Sequence, residues 1–322
     1  MKKHFCPVCG TEQPEGKGKK CVYCGGRIGN GTNVSWGWIE ATIGFTASII
    51  LLFIFQSMMY FLGLTIMLAI NPLSLLRLQF TFNIFTMTYE TKLELVSTPE
   101  ILSFVTLGEL ALLIIPVLIL KLKKVSLREL GFPFTDRRTT VMDVTIGCLA
   151  GVGMIVAANI ISITTTLLLL AVLQTIYGPF FGSMLIFLSE EFISGINAPF
   201  VATNYVQLIL LITSVTLLVA PCEEIATRGF LQQGLEKSWG RWKGLIAAAV
   251  IFSILHVILY PQSASATGLP GIGLISILLA LPTYITLSLI LGALFQAREY
   301  RIITTIAAHA SYMTILVIML SM

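Results

Sequence analysis

Ala220-Pro221-Cys222-Glu223-Glu224-Ile225-Ala226-Thr227-Arg228 ends an apolar run with two adjacent carboxylates and an arginine. A carboxylate near the middle of a membrane span costs about 2.5–3.5 kcal/mol on insertion scales, so an acid there is a functional-site hypothesis by default. Glu224 and Arg228 are four residues apart, one above the other on a helix face, and can pair. Glu223 points about 100° away and is left free. Two of the three histidines, His256 and His309, also lie among apolar residues. A carboxylate and an imidazole sharing a wet intramembrane cavity are what hydrolysis needs: the carboxylate takes a proton from water, and the imidazole orients that water or shares the proton. A second imidazole can stabilise the oxyanion.

Helices must bring these groups to one depth. With Gly240 as a hairpin turn, Glu223 precedes it by 17 residues and His256 follows it by 16, so on antiparallel neighbours the two are level. His309 lies eight residues past Arg301, or about 12 Å along a helix, which places it at a similar level. Composition demands a bilayer around these helices. The 322 residues are 56% apolar and 11% charged, against roughly 25% charged in a soluble domain, so a water-soluble fold is excluded. Hydropathy places spans near residues 41–70, 101–121, 144–176, 204–226, 244–260, 270–296 and 302–322. The fold class is therefore all-α, a polytopic bundle of seven spans. An eighth is the alternative, because the uncharged run from Val144 to Ser189 has room for a re-entrant element after Gly178-Pro179.

The net charge of +4 reports orientation rather than a nucleic-acid partner, and none is expected. In the seven-span arrangement 18 of the 20 cations fall on one side, with only Arg77 and Lys92 opposite, so the amino-terminal segment and its companion loops face the cytosol. That segment holds Cys6-Pro7-Val8-Cys9-Gly10 and Cys21-Val22-Tyr23-Cys24-Gly25, two C-x2-C-G knuckles 11 residues apart. Four thiolates complete a tetrahedral zinc shell with no open position, so the metal there is structural, and two disulfides are the competing reading. The expected domains are a zinc ribbon over 1–28, a linker over 29–40 and a membrane domain over 41–322.

The residues Glu223, Glu224 and Arg228 match E-E-x-x-x-R, and Phe252 with His256 matches F-x-x-x-H, in that order on successive helices. In this the chain resembles the CPBP family of intramembrane CAAX endopeptidases and bacteriocin-processing enzymes over roughly residues 205–315. The family's third motif, a histidine followed four residues later by asparagine or aspartate, is half matched: His309 is followed by Met313. The resemblance implies an intramembrane endopeptidase acting on a membrane-associated, CAAX-type or other tethered substrate. Glu223 and His256 would activate water, His309 would serve the oxyanion site, and Glu224 with Arg228 would brace both. A catalytic metal is left open, since one glutamate and two histidines suit either a metal or a metal-free acid–base set.

Rival readings are a non-catalytic scaffold or immunity protein, motivated by Met313, and a proton-coupled transporter, for which the expected internal repeat is not visible. Among single residues, Phe252 reads as core, Cys222 as an inert small hydrophobe, and Glu109 and Asn159 as helix–helix hydrogen-bonding groups. Glu190-Glu191 reads as an outer-loop decoy with Gly195 where an arginine would be needed.

Overall fold

A computed structural model describes residues 36–70, 99–125, 130–132, 137–178, 201–259 and 272–322, with the backbone of short strands at 4–5, 12–13, 76–83 and 88–95. Seven helices lie within these residues: α1 (Trp38–Ile70), α2 (Glu100–Leu122), α3 (Arg137–Tyr177), α4 (Tyr205–Trp239), α5 (Arg241–Leu259), α6 (Ile272–Ala297) and α7 (Ile302–Ser321). Six of the described helices are long and apolar enough to cross a membrane, and the position expected for the remaining span is occupied by the 19-residue α5. Many large apolar side chains are exposed, among them Ile43 and Phe61 on α1 and Leu149, Val156 and Ile163 on α3, while the buried set includes Asp143, Glu223, Glu224, Arg228 and His309. That inside-out distribution is what lipid contact selects.

The membrane body is all-helical, as expected, and short antiparallel ladders accompany it. Strands β3 (Leu76–Asn83) and β4 (Thr88–Leu95) pair antiparallel between α1 and α2, with Arg77 opposite Glu94 and Gln79 opposite Lys92. The alternation Leu-Arg-Leu-Gln-Phe-Thr-Phe-Asn has the strand period of two, which a span-length hydropathy window averages away. A two-residue ladder, β1 (His4–Phe5) with β2 (Glu12–Gln13), flanks the first cysteine knuckle. Cys6, Cys9, Cys21 and Cys24, the segment after Gly178, and Glu190-Glu191 lie outside the described residues. Part of the expected linker over 29–40 is already membrane body. α1 begins at Trp38, and Trp36 is buried, its indole stacked 6.2 Å from the Phe230 ring and donating to the Phe230 carbonyl at 3.1 Å.

α4 is the hub. It packs against α1, α2, α5 and α7, while α7 lies along α3, and α6 along α5 and α3. Two glycines permit the α3–α7 approach: a Cβ on Gly147 would stand 2.5 Å from the Thr304 carbonyl oxygen, and one on Gly151 the same distance from that of Ala308. Asp143 on α3, fully buried, clamps the α6–α7 turn through Arg298 at 2.6 Å and Arg301 at 3.1 Å. Gly240 makes the α4–α5 corner at φ +87°, a left-handed conformation that only glycine takes without strain.

Candidate active site

α4 is not a regular helix where the acids sit. Pro221 brings no amide, and the chain widens into π-helical turns at Val215–Val219 and Ile225–Gln232, on either side of Ala220–Glu224. The Ala220 amide donates to the carbonyl of Val215, five residues back. Such widened turns recur at functional sites because they re-aim side chains that a regular helix would place elsewhere.

The three helices expected to converge do so. Glu223 Oε2 is 3.5 Å from His256 Nε2 on α5 and 3.9 Å from His309 Nε2 on α7. Glu224 is wholly buried and fully engaged: Oε2 accepts from Arg228 Nε at 3.2 Å, and Oε1 accepts from His309 Nδ1 at 3.0 Å. A carboxylate can only accept, so His309 Nδ1 carries the proton and its Nε2 is turned toward Glu223. His256 is fixed in the same manner, its Nδ1 donating to the Phe252 carbonyl one turn back at 3.1 Å. In the neutral ring this makes Nε2, the nitrogen beside Glu223, the acceptor.

Sequence reasoning missed the contributions of α6. Ser288 accepts from Arg228 Nη2 at 3.0 Å, and the Tyr284 ring lies 5.3 Å from that of His256. A lone serine or tyrosine in an apolar span carries no pattern that would single it out. Phe252 is core, as expected, but a working part of it: its ring lies 4.0 Å from that of His256 and 5.3 Å from the Arg228 guanidinium carbon. Cys222 is a buried free thiol. Glu109 does bridge helices, accepting from Gln56 of α1 at 2.8 Å. Asn159 does not; it is exposed and donates to the carbonyl of Ile155 in its own helix.

Glu223 and His256 line a cavity of about 170 Å³, with room for several water molecules or a small side chain. Its other walls are mostly apolar, from Phe45 and Leu52 of α1, Leu102 and Leu112 of α2, and Val219 of α4, and Met313 reaches it from α7. Residues 205–315 match the family described as "Rce1-like: Type II CAAX prenyl endopeptidase Rce1-like". No curated protein and no solved structure matches the chain. The matched stretch is about a third of the sequence, runs from α4 into α7 and contains all three motif positions, from Glu223 to Met313. Over that stretch the chain is similar to CAAX-type intramembrane endopeptidases, and its six apolar helices mark it as an integral membrane protein. Among the described residues no group of three or more His, Cys, Asp or Glu side chains is arranged to hold a metal ion.

Proposed function

We propose that the protein is an intramembrane endopeptidase that hydrolyses a peptide bond of a membrane-associated substrate with a water activated by Glu223 and His256. One observation carries the reading: two acceptors, Glu223 Oε2 and His256 Nε2, stand 3.5 Å apart at the wall of an apolar cavity. A water lodged against both donates one hydrogen to each, which leaves a lone pair directed at the substrate carbonyl. As the water oxygen bonds to the carbonyl carbon, its proton passes to Glu223. His309, in its doubly protonated form, donates from Nε2 to the oxyanion while Nδ1 stays on Glu224. The C–N bond then breaks, and Glu223 returns the proton to the leaving amine. Arg228 and Glu224 touch no reacting atom; they set the position of His309.

The span arrangement with seven crossings puts 18 of the 20 cations, and with them the amino-terminal segment, on the cytosolic side. A prenylated CAAX-type peptide or another tethered peptide then meets the site near the cytosolic face. The two C-x2-C-G knuckles suit Cys6, Cys9, Cys21 and Cys24 as the ligands of one structural zinc.

Membranes carrying wild type, Glu223→Gln or His256→Ala, compared by mass spectrometry of released peptides, test the reading. Peptides present only with wild type support it. Identical peptide sets at equal protein levels refute it. Met313 favours a second reading, a non-catalytic scaffold or immunity protein of the same fold, because a thioether in the cavity wall offers no hydrogen to an oxyanion. On that reading Glu223→Gln leaves the phenotype intact, whereas deletion of residues 1–28 abolishes it.

A further inference from the structure

Five carboxylates are buried among the described residues, and the hydrogen bonds they make divide them into two groups. Asp143 gives both oxygens to arginines, Glu224 gives one to Arg228 and one to His309, and Glu236 accepts from Gln232, Gln296 and Tyr300. Glu223 and Glu109 alone keep an oxygen, Oε2 in each case, with no hydrogen-bond partner, and both line the same cavity. Glu223 has two imidazoles within 4 Å. Glu109 has one neutral donor, Gln56 Nε2, on its other oxygen, and no lysine, arginine or histidine among the described residues pairs with it.

A carboxyl that is only 5% exposed in an apolar span, half bonded and without a counter-charge, is an expensive group to retain for packing alone. Its surroundings are nonetheless built to hold it. Glu109 sits in a 3₁₀ turn, Leu107–Leu110, that interrupts α2. Gly108 beside it lets α2 close onto α1 so tightly that a Cβ there would stand 2.9 Å from the Gln56 backbone nitrogen. That approach is what brings the Gln56 amide onto Glu109 Oε1. Both residues precede the stretch 205–315 that matches the endopeptidase family. With Glu223 on the facing wall, the cavity holds two acids and favours a cation as its occupant.

We propose that Glu109, aligned by Gln56, is a specificity subsite that receives a lysine or arginine side chain of the substrate beside the bond to be cleaved. The proposal rests on the cavity being the place of hydrolysis, so its first test does not depend on cleavage. N-Dodecylguanidinium, with dodecanol as the uncharged control, is titrated against full-length protein in detergent while the thermal midpoint is followed. The guanidinium probe is expected to raise the midpoint of wild type and of Glu223→Gln above the dodecanol control, and to lose that difference in Glu109→Gln and Glu109→Leu. Glu109→Gln keeps an acceptor for Gln56 and so separates lost binding from lost folding. An equal guanidinium shift in all four proteins overturns the subsite. A second arm compares lipid-anchored peptides that carry lysine or norleucine next to the scissile bond. Wild type should prefer lysine by about 10- to 100-fold in KM, the equivalent of one charge-assisted hydrogen bond, and Glu109→Gln should bring that ratio to about one. A ratio unchanged in Glu109→Gln overturns the subsite while leaving the peptidase reading intact. Cleavage that persists in Glu223→Gln overturns the peptidase reading instead.

Discussion

Replacing Glu224 by leucine removes two hydrogen bonds from a fully buried place. Arg228 Nε loses its acceptor at 3.2 Å and His309 Nδ1 loses its acceptor at 3.0 Å, so the guanidinium keeps only Ser288 at 3.0 Å and the Phe252 ring face. Removing one partner of a buried ion pair typically costs about 3–5 kcal/mol, because the other charge stays buried without compensation. That is a large share of the roughly 5–15 kcal/mol by which a domain is stable. Arg228→Met should do comparable damage, since it strands Glu224. The double variant Glu224→Leu/Arg228→Met removes both charges and should recover most of the lost stability, because apolar replacement of a whole buried pair is often neutral. Its activity should not recover, since His309 Nδ1 still has no acceptor and its ring is no longer held toward Glu223. Equilibrium unfolding in detergent, run on both single variants and the double variant, yields the coupling energy. Release of the wild-type peptides reports function. Single variants that each lose less than about 1 kcal/mol would contradict the buried-pair reasoning. A double variant that regains turnover along with stability would remove His309 orientation from the mechanism.

Gly151→Val should destabilise by about 1–3 kcal/mol and suppress turnover, because its Cβ would meet the Ala308 carbonyl oxygen at 2.5 Å and push aside the helix that carries His309. Gly153→Ala, where a Cβ meets nothing within 4 Å, is the control and should unfold at or slightly above the wild-type midpoint. Trp36→Ala should cost about 3–5 kcal/mol through the lost stack on Phe230. It should also speed protease cleavage just before α1, seen as loss of the first ~37 residues on a gel. Metal analysis of purified protein should find about one zinc per chain, lost in Cys6→Ser/Cys9→Ser with the unfolding midpoint of the membrane body unchanged. Zinc-free protein with all four of these thiols blocked would establish the two disulfides instead.

The convergence of Glu223, His256 and His309 was legible because it needs only two things, a turn at Gly240 and a constant rise per residue. The structure supplies the turn, with Gly240 at φ +87° between two helices, and the π-helical stretch Ile225–Gln232 departs from the constant rise without parting Glu223 from His256, which stand 3.5 Å apart. Contacts that depend on how helices rotate about their axes left no such trace. Ser288 reaches Arg228 across 60 residues and Gln56 reaches Glu109 across 53, and nothing in an apolar run says which of its faces meets which neighbour. The π-helical turns around Ala220–Glu224 were equally hidden, although Pro221 is the local reason that the regular ladder fails there. Trp36 falls in the expected linker over 29–40, yet this one large aromatic is buried and stacked on Phe230.

Two sets of helices thus share the work. α4, α5 and the first part of α7, within the matched stretch, carry the acid and both imidazoles, and their geometry is closed: each imidazole has one nitrogen tied back to its own support, Phe252 or Glu224, and the other presented to Glu223. α1 and α2, outside that stretch, make another wall, and there the acid is held open rather than closed, with Glu109 bonded on one oxygen only. A hydrolytic centre must be rigid to keep water in line, whereas a wall that chooses substrates must keep a valence for what enters. On this division, substitutions in α1 and α2 should change which peptides are cut while the chemistry persists, and substitutions at Glu223 or His256 should stop every cut alike.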